Sequence, residues 1–138
     1  MLQLDAYLFF DGTCADAMRF YERTLGGELM LMKNADAPAE ARGPGGDPNR
    51  VMHARLRLDG RTLMASDWPT DRAYEGMKGF SLSLIYPTVA EARRAFDALS
   101  EGGKVTMPFG KTFWAEAFGM LVDRFGTHWM VNGGLANS

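Results

Sequence analysis

The sequence predicts an α+β fold made of two βαβββ modules, with strands forming a curved mixed sheet around a cavity and helices packed outside. Three observations carry this expectation. Short segments alternate apolar and polar residues at the strand period. Two stretches of helical period each open on a capping-box pattern and close on Gly-Gly. The order strand–helix–strand–strand–strand is read twice, so that Phe20 and Gly26-Gly27 in the first half answer Phe96 and Gly102-Gly103 in the second. Such a repeat governs the whole fold. Neither half can cover its own sheet. Each helix covers one face, and the remaining faces curve together around a shared cavity, the kind of concave place where small molecules bind.

Residues 3–10 alternate, with Leu4, Ala6, Leu8 and Phe10 on one face and Asp5, Tyr7 and Phe9 on the other. After Asp11-Gly12, Thr13 is placed as N-cap with Asp16 three residues on, and the helix runs to about Leu25. Glu28 to about Lys33 is a second strand. Residues 34–49, rich in Pro and Gly and without periodicity, form a loop, and a loop of that length in a compact domain is functional or mobile. Residues 50–58 alternate cleanly: Met52, Ala54, Leu56 and Leu58 against Val51, His53, Arg55 and Arg57. Asp59-Gly60 is a hairpin turn into a strand ending at Asp67. A second polar loop, 68–79, separates module one (about 1–70) from module two (about 78–134). Phe80 to Tyr86 alternates again, Thr88 to Glu91 is the second capping box, and Val89, Ala92, Phe96 and Leu99 mark the second helix. A short strand near 104–107 and a Pro108/Gly110 turn lead to a hairpin over 111–132 that turns at Asp123 to Gly126. In its first arm Trp114, Glu116 and Phe118 share a face.

At 138 residues the chain is one domain, large enough to bury a core unaided. With 46% apolar residues, 23% charged and a formal charge of −2, it has the composition of a soluble globular protein. No dense Lys/Arg run favours nucleic acid. A single cysteine, Cys14, excludes an intramolecular disulfide and a cysteine zinc cage. The first residues have no basic leader, and no run reaches the roughly 18 apolar residues of a membrane span. The expected location is cytoplasmic. Ten Met and 12% aromatic residues suit an adaptable apolar cavity and a plain core equally well.

Four stretches, YLFFDGTCADAMRFYERTLGGE, VMHARLRLDGRTLMASD, YEGMKGFSLSL and TMPFGKTFWAEAFGMLVDRFGTHWMVN, cover most of the chain. With the doubled βαβββ order they resemble the vicinal oxygen chelate superfamily, which includes glyoxalase I, extradiol dioxygenases and the fosfomycin and bleomycin resistance proteins. The wording is similar to the PhnB-like branch. The resemblance implies a single vicinal oxygen chelate domain over 1–138, a homodimer, and a lyase, isomerase or dioxygenase activity. It also implies metal ligands on the first and last strand of each module. Those positions fall near Leu4, with Gln3 and Asp5 beside it, at Phe80 or Ser81, and near Met64 and Met130. None is a good ligand for a divalent ion, so no metal residue is assigned and the cofactor is unknown. The methyltransferase description often given to this branch finds no support, for the chain has no Gly-rich loop between a strand and a helix of a parallel sheet.

The residues themselves point to His53 and Glu116 as the catalytic candidates. Facing one cavity, they would serve as a general acid–base pair or hold a metal loosely; otherwise they are an edge histidine and a solvated glutamate. Tyr7, Arg55, Trp68 and Trp114 are the substrate-binding candidates: a phenol to hydrogen-bond, a guanidinium to clamp carboxylate or phosphonate, an indole over the pocket mouth and an indole in its wall. The bland alternatives are a core tyrosine, a solvated arginine and tryptophans packed on a sheet edge. Cys14, in the first helical turn, is placed where the dipole lowers a thiol pKa. The leading expectation is an enzyme acting on a small polar or anionic molecule. The alternatives are a protein of the bleomycin-resistance type that sequesters a small molecule, and a structural or partner-binding module.

Overall fold

The computed structural model describes residues 1–38, 40 and 47–135. The elements follow the order β1 (Ala6–Phe10), α1 (Cys14–Leu25), β2 (Glu28–Lys33), β3 (Val51–Leu58), β4 (Arg61–Asp67), β5 (Leu82–Tyr86), α2 (Val89–Ser100), β6 (Lys104–Gly110), β7 (Ala115–Val122) and β8 (His128–Leu135). This is βαβββ twice. The chain falls into two compact units, Met1–Gly76 and Met77–Ser138. Each unit has its own four-stranded sheet, ordered β1-β4-β3-β2 in the first and β5-β8-β7-β6 in the second. In each, the first strand runs parallel to the last and the other ladders are antiparallel, so both sheets are mixed.

In the first unit the alternation seats Leu8, Phe10, Ala54, Leu56 and Ala65 against Ala17, Met18, Phe20 and Tyr21 of α1, all of them buried. In the second, Ala92, Ala95, Phe96 and Leu99 of α2 are buried with Ala115, Ala117, Leu121, Trp129 and Val131 of the sheet. Two glycines let α2 sit close. A Cβ on Gly133 would lie 2.6 Å from the Ala92 Cβ, and one on Gly119 would lie 2.6 Å from the Phe96 ring.

The second glycine of each Gly-Gly pair does more than end a helix. A Cβ on Gly27 would run into the Arg57 carbonyl of β3, and one on Gly103 into the Val122 carbonyl of β7. The same close approach of chain to strand thus recurs in both units. Asp59 (φ 48°) and Gly60 (φ 76°) form the expected left-handed hairpin turn.

Several expectations are corrected. Thr13 makes no side-chain cap. The first free N–H of α1, that of Cys14, is instead accepted by Asp67 Oδ1 at 3.0 Å, a residue 53 positions away at the end of β4. Asp67 Oδ2 accepts from Val51 N–H at 2.8 Å, so one carboxylate ties α1, β3 and β4 together. Thr88 does cap α2, accepting from Glu91 N–H at 3.2 Å. β1 begins at Ala6 rather than residue 3, β5 at Leu82 rather than Phe80, and β7 at Ala115 rather than residue 111. β6 runs through Pro108 to Gly110 where a turn was expected. It is an edge strand with two register shifts, the setting in which a strand tolerates proline.

Of the 34–49 loop, residues 39 and 41–46 lie outside the described residues. Its ends are held together: Asn34 N–H donates to the Arg50 carbonyl (2.9 Å), Ala35 N–H to the Pro48 carbonyl (3.0 Å) and the Asn34 side chain to the Asp47 carbonyl (2.8 Å).

Candidate functional site

Alternation gives each sheet a face turned away from its own helix, and on that far face the two units differ. In the first unit the ladders align Met30, Arg55, Met64 and Tyr7 in one row across β2, β3, β4 and β1. Two residues along, Met32 pairs with His53 and Ser66 with Phe9. Tyr7 and Phe9 are about two-fifths exposed, and Arg55, His53 and the three methionines are half-buried.

Tyr7 and His53 meet. The Tyr7 hydroxyl lies 3.0 Å from His53 Nδ1, although β4 separates their strands. The bond has two forms. Either the phenol donates to Nδ1, or Nδ1–H donates to the phenol oxygen and leaves the phenol proton and the Nε2 lone pair free. An aromatic row continues from this pair. Tyr7 packs on Phe9 (centroids 5.2 Å apart), Phe9 meets Trp68 edge-on (5.3 Å), and Trp68 meets Tyr74 (6.4 Å). Trp68 Nε1–H donates to the Ala73 carbonyl at 3.0 Å, and the Tyr74 hydroxyl donates to the Phe9 carbonyl at 2.6 Å. The 68–74 segment is therefore pinned beside the end of β1. Burial, and then the nearby Asp11 carboxylate, push the Tyr74 phenol above its ordinary pKa, which keeps it a donor. Arg50 fastens the same corner, donating to the Trp68 carbonyl at 2.7 Å and pairing with Asp11 at 3.1 Å.

His53, Tyr7, Arg55 and Trp68 thus belong to the first unit, and Glu116 and Trp114 to the second. Glu116 lies on the far face of β7 and is exposed. Its carboxylate packs over Gly134 (φ 61°), where an added Cβ would lie 2.8 Å from the carboxyl carbon. Trp114 precedes β7, is about one-third exposed, and stacks edge-on against Phe113 (4.8 Å) and Phe118 (5.2 Å). Of the candidates, the fold places Tyr7 against His53 and Arg55 in Tyr7's row, and it sets Trp68 on Phe9. Phe9, Tyr74, Met30 and Met32 were not singled out from sequence, and Met64 was named only as a metal position that the resemblance implies. Phe9 was legible by alternation with Tyr7; Tyr74, in an aperiodic loop, was not.

Cys14 is not a nucleophile. Burial, with Asp67 adding to it, pushes its thiol up to about 12 rather than down. A groove of about 540 Å³ lies at the β3–β4 turn, away from the Tyr7–His53 pair, and its lining sets Glu28 beside Arg57, so its charges are balanced.

The metal positions expected from the resemblance do not fit a metal. Leu4 precedes β1 and is almost fully exposed. On the first strand of each unit, the cross-strand partners of Met64 and Met130 are Tyr7 and Ser83. Two thioethers, a phenol and a hydroxyl are not the imidazoles and carboxylates that hold such ions. Among the described residues no three His, Cys, Asp or Glu side chains gather into another site.

This architecture agrees with comparison to known proteins. The family model of the glyoxalase/bleomycin resistance protein/dioxygenase superfamily matches residues 3–131, and the chain belongs to that superfamily. Within it, the chain is 48% identical to protein PA1353 of Pseudomonas aeruginosa, whose crystal structure superposes with a TM-score of 0.88 over 96% of this chain and 97% of that one. It is 39% identical over 142 residues to protein YjdN of Escherichia coli, with 95% of each chain covered. The PhnB protein from Bacillus cereus superposes with a TM-score of 0.78 at 26% identity, over 95% of this chain and 98% of that one.

Proposed function

We propose that the far face of the first unit binds a small organic molecule, and that Tyr7 and His53 are its acid–base pair. The observation that carries this reading is the 3.0 Å contact between the phenol and Nδ1. It fixes the ring and aims Nε2 away from Tyr7, as a general base or acid needs. Phe9, Trp68 and the methionines supply an apolar bed whose shape adapts to a ligand. The class of chemistry is proton transfer by these side chains, and no step runs through a metal. On the resemblance alone, the reading includes a second copy of the chain as partner. Glu116 and Trp114 enter it as a carboxylate and an aromatic wall on the second unit's own far face.

A second reading is sequestration without chemistry, favoured by the continuous row of rings from Tyr7 to Tyr74. Titration of protein carrying ¹³C-methyl methionine with phenol, benzoate and phenylpyruvate tests binding. The proposal expects shifts at Met30, Met32 and Met64, weakened at least tenfold in Phe9→Ala. Silence at all three methionines with every probe overturns it. Equal turnover-free binding by wild type, Tyr7→Phe and His53→Ala favours sequestration.

A further inference from the structure

Arg55 is half-buried, whereas Arg19, Arg23, Arg57, Arg61 and Arg94, which likewise make no ion pair among the described residues, are exposed. Arg50 pairs with Asp11, Arg72 with Asp71, Arg93 with Asp97, and Arg124 donates to the Glu101 carbonyl. Arg57 has Glu28 as its cross-strand partner. Arg55 has Met30 on one side and Met64 on the other, is half-buried, and makes no ion pair among the described residues. Half-burying a guanidinium between thioethers without a counter-ion costs solvation that a bound anion restores. Its planar fork matches a carboxylate. On the same strand and face, His53 is two residues away, about 7 Å at the strand rise. The two side chains rise from neighbouring positions of one face, so a single small molecule can meet the guanidinium with a carboxylate and the imidazole with an acidic C–H.

We propose that Arg55 is the carboxylate anchor of this face and that the ligand class is a small 2-oxo carboxylic acid, enolised by Tyr7 and His53. This rests on the reading of the far face as a binding site. The carboxylate lies on Arg55, and the ketone oxygen accepts from the Tyr7 hydroxyl. His53 Nε2 takes a proton from the carbon beyond the ketone. That C–H bond breaks, its electron pair becomes the C=C bond, and the C=O π pair moves to the oxygen held by Tyr7. The imidazolium so formed donates its Nδ1–H to the Tyr7 oxygen, the second form of the observed contact. Return of the proton from Nε2 restores the ketone, with no net oxidation and no co-reactant. An apolar substituent would rest on Phe9 and Trp68.

The test is deuterium incorporation into phenylpyruvate in D₂O, followed by proton NMR, with its methyl ester as the neutral control. Wild type is expected to exchange the benzylic protons of the acid at least tenfold faster than buffer. His53→Ala and Tyr7→Phe should lose that rate. Arg55→Gln should raise the half-saturating concentration of the acid at least tenfold and leave that of the ester unchanged. Methionine-methyl spectra of each variant report an intact fold. Acid and ester bound equally by wild type, or exchange no faster than buffer, overturns this inference while leaving the binding face standing. No methionine shift with either probe overturns both.

Discussion

The two units share one scaffold and differ in what they mount on it. The row that reads Met30, Arg55, Met64, Tyr7 in the first unit reads Met107, Met120, Met130, Ser83 in the second. In the next row the second unit sets Gly110, Phe118, Asn132 and Ile85 side by side. His53 and Phe9 belong to that row in the first unit. A cation, a phenol and an imidazole in one unit are answered by the Met120 thioether, the small Ser83 and the Phe118 ring in the other. Meanwhile the close glycine contacts at Gly27 and Gly103 are kept in both. The repeat therefore specifies backbone, and function has to be read one unit at a time.

The scaffold half of that comparison can be broken at the glycines. Gly27 combines φ of 94° with a Cβ position blocked by backbone, so Gly27→Ala should cost about 4 kcal/mol. Gly103 meets the same obstruction without positive φ, so Gly103→Ala should cost about 2 kcal/mol. Gly26, at φ 87° with nothing near its Cβ position, should cost only about 1 kcal/mol as alanine. Urea denaturation orders the three, and an equal cost for all would contradict the shared close approach.

Each unit is also tied by one aspartate, and the two ties differ. Asp123 is buried and accepts from Trp129 Nε1–H (2.8 Å), Phe125 N–H (2.8 Å) and Thr127 N–H (3.1 Å). Asp67 accepts two backbone N–H groups. Alanine should cost about 3 kcal/mol at Asp123 and about 2 kcal/mol at Asp67. The first variant should alter Trp129 fluorescence and the second should fray α1 in amide exchange.

The smallest effect is at Cys14. Its proton is held to about 12 in the fold against 9.0 for an ordinary thiol. A raised acid pKa means full stability below about 9, falling as pH climbs toward 12, because the unfolded chain releases the proton first. Iodoacetamide at pH 8 should leave the native thiol unmodified and label it fully in urea.

Much of this was legible in the sequence because it is local. Alternation, the Thr88 cap, Asp59-Gly60 and the Gly-Gly stops all act within a few residues. What was not legible acts at a distance. Thr13 looked like a cap, yet the acceptor is Asp67, brought in by the β1–β4 pairing. Cys14 looked activated by a helix end, but burial, with that carboxylate adding to it, reverses the effect. Tyr7 and His53 were each placed on a non-apolar face, but their contact spans an intervening strand, which no local pattern encodes.

The central claim is that the first unit's far face binds the ligand. Methionine-methyl NMR during a phenylpyruvate titration tests it most directly, since each far face carries three methionines. The account predicts its largest shifts at Met30, Met32 and Met64, reached only at an at least tenfold higher phenylpyruvate concentration in Arg55→Gln. Shifts confined to Met107, Met120 and Met130 would contradict it.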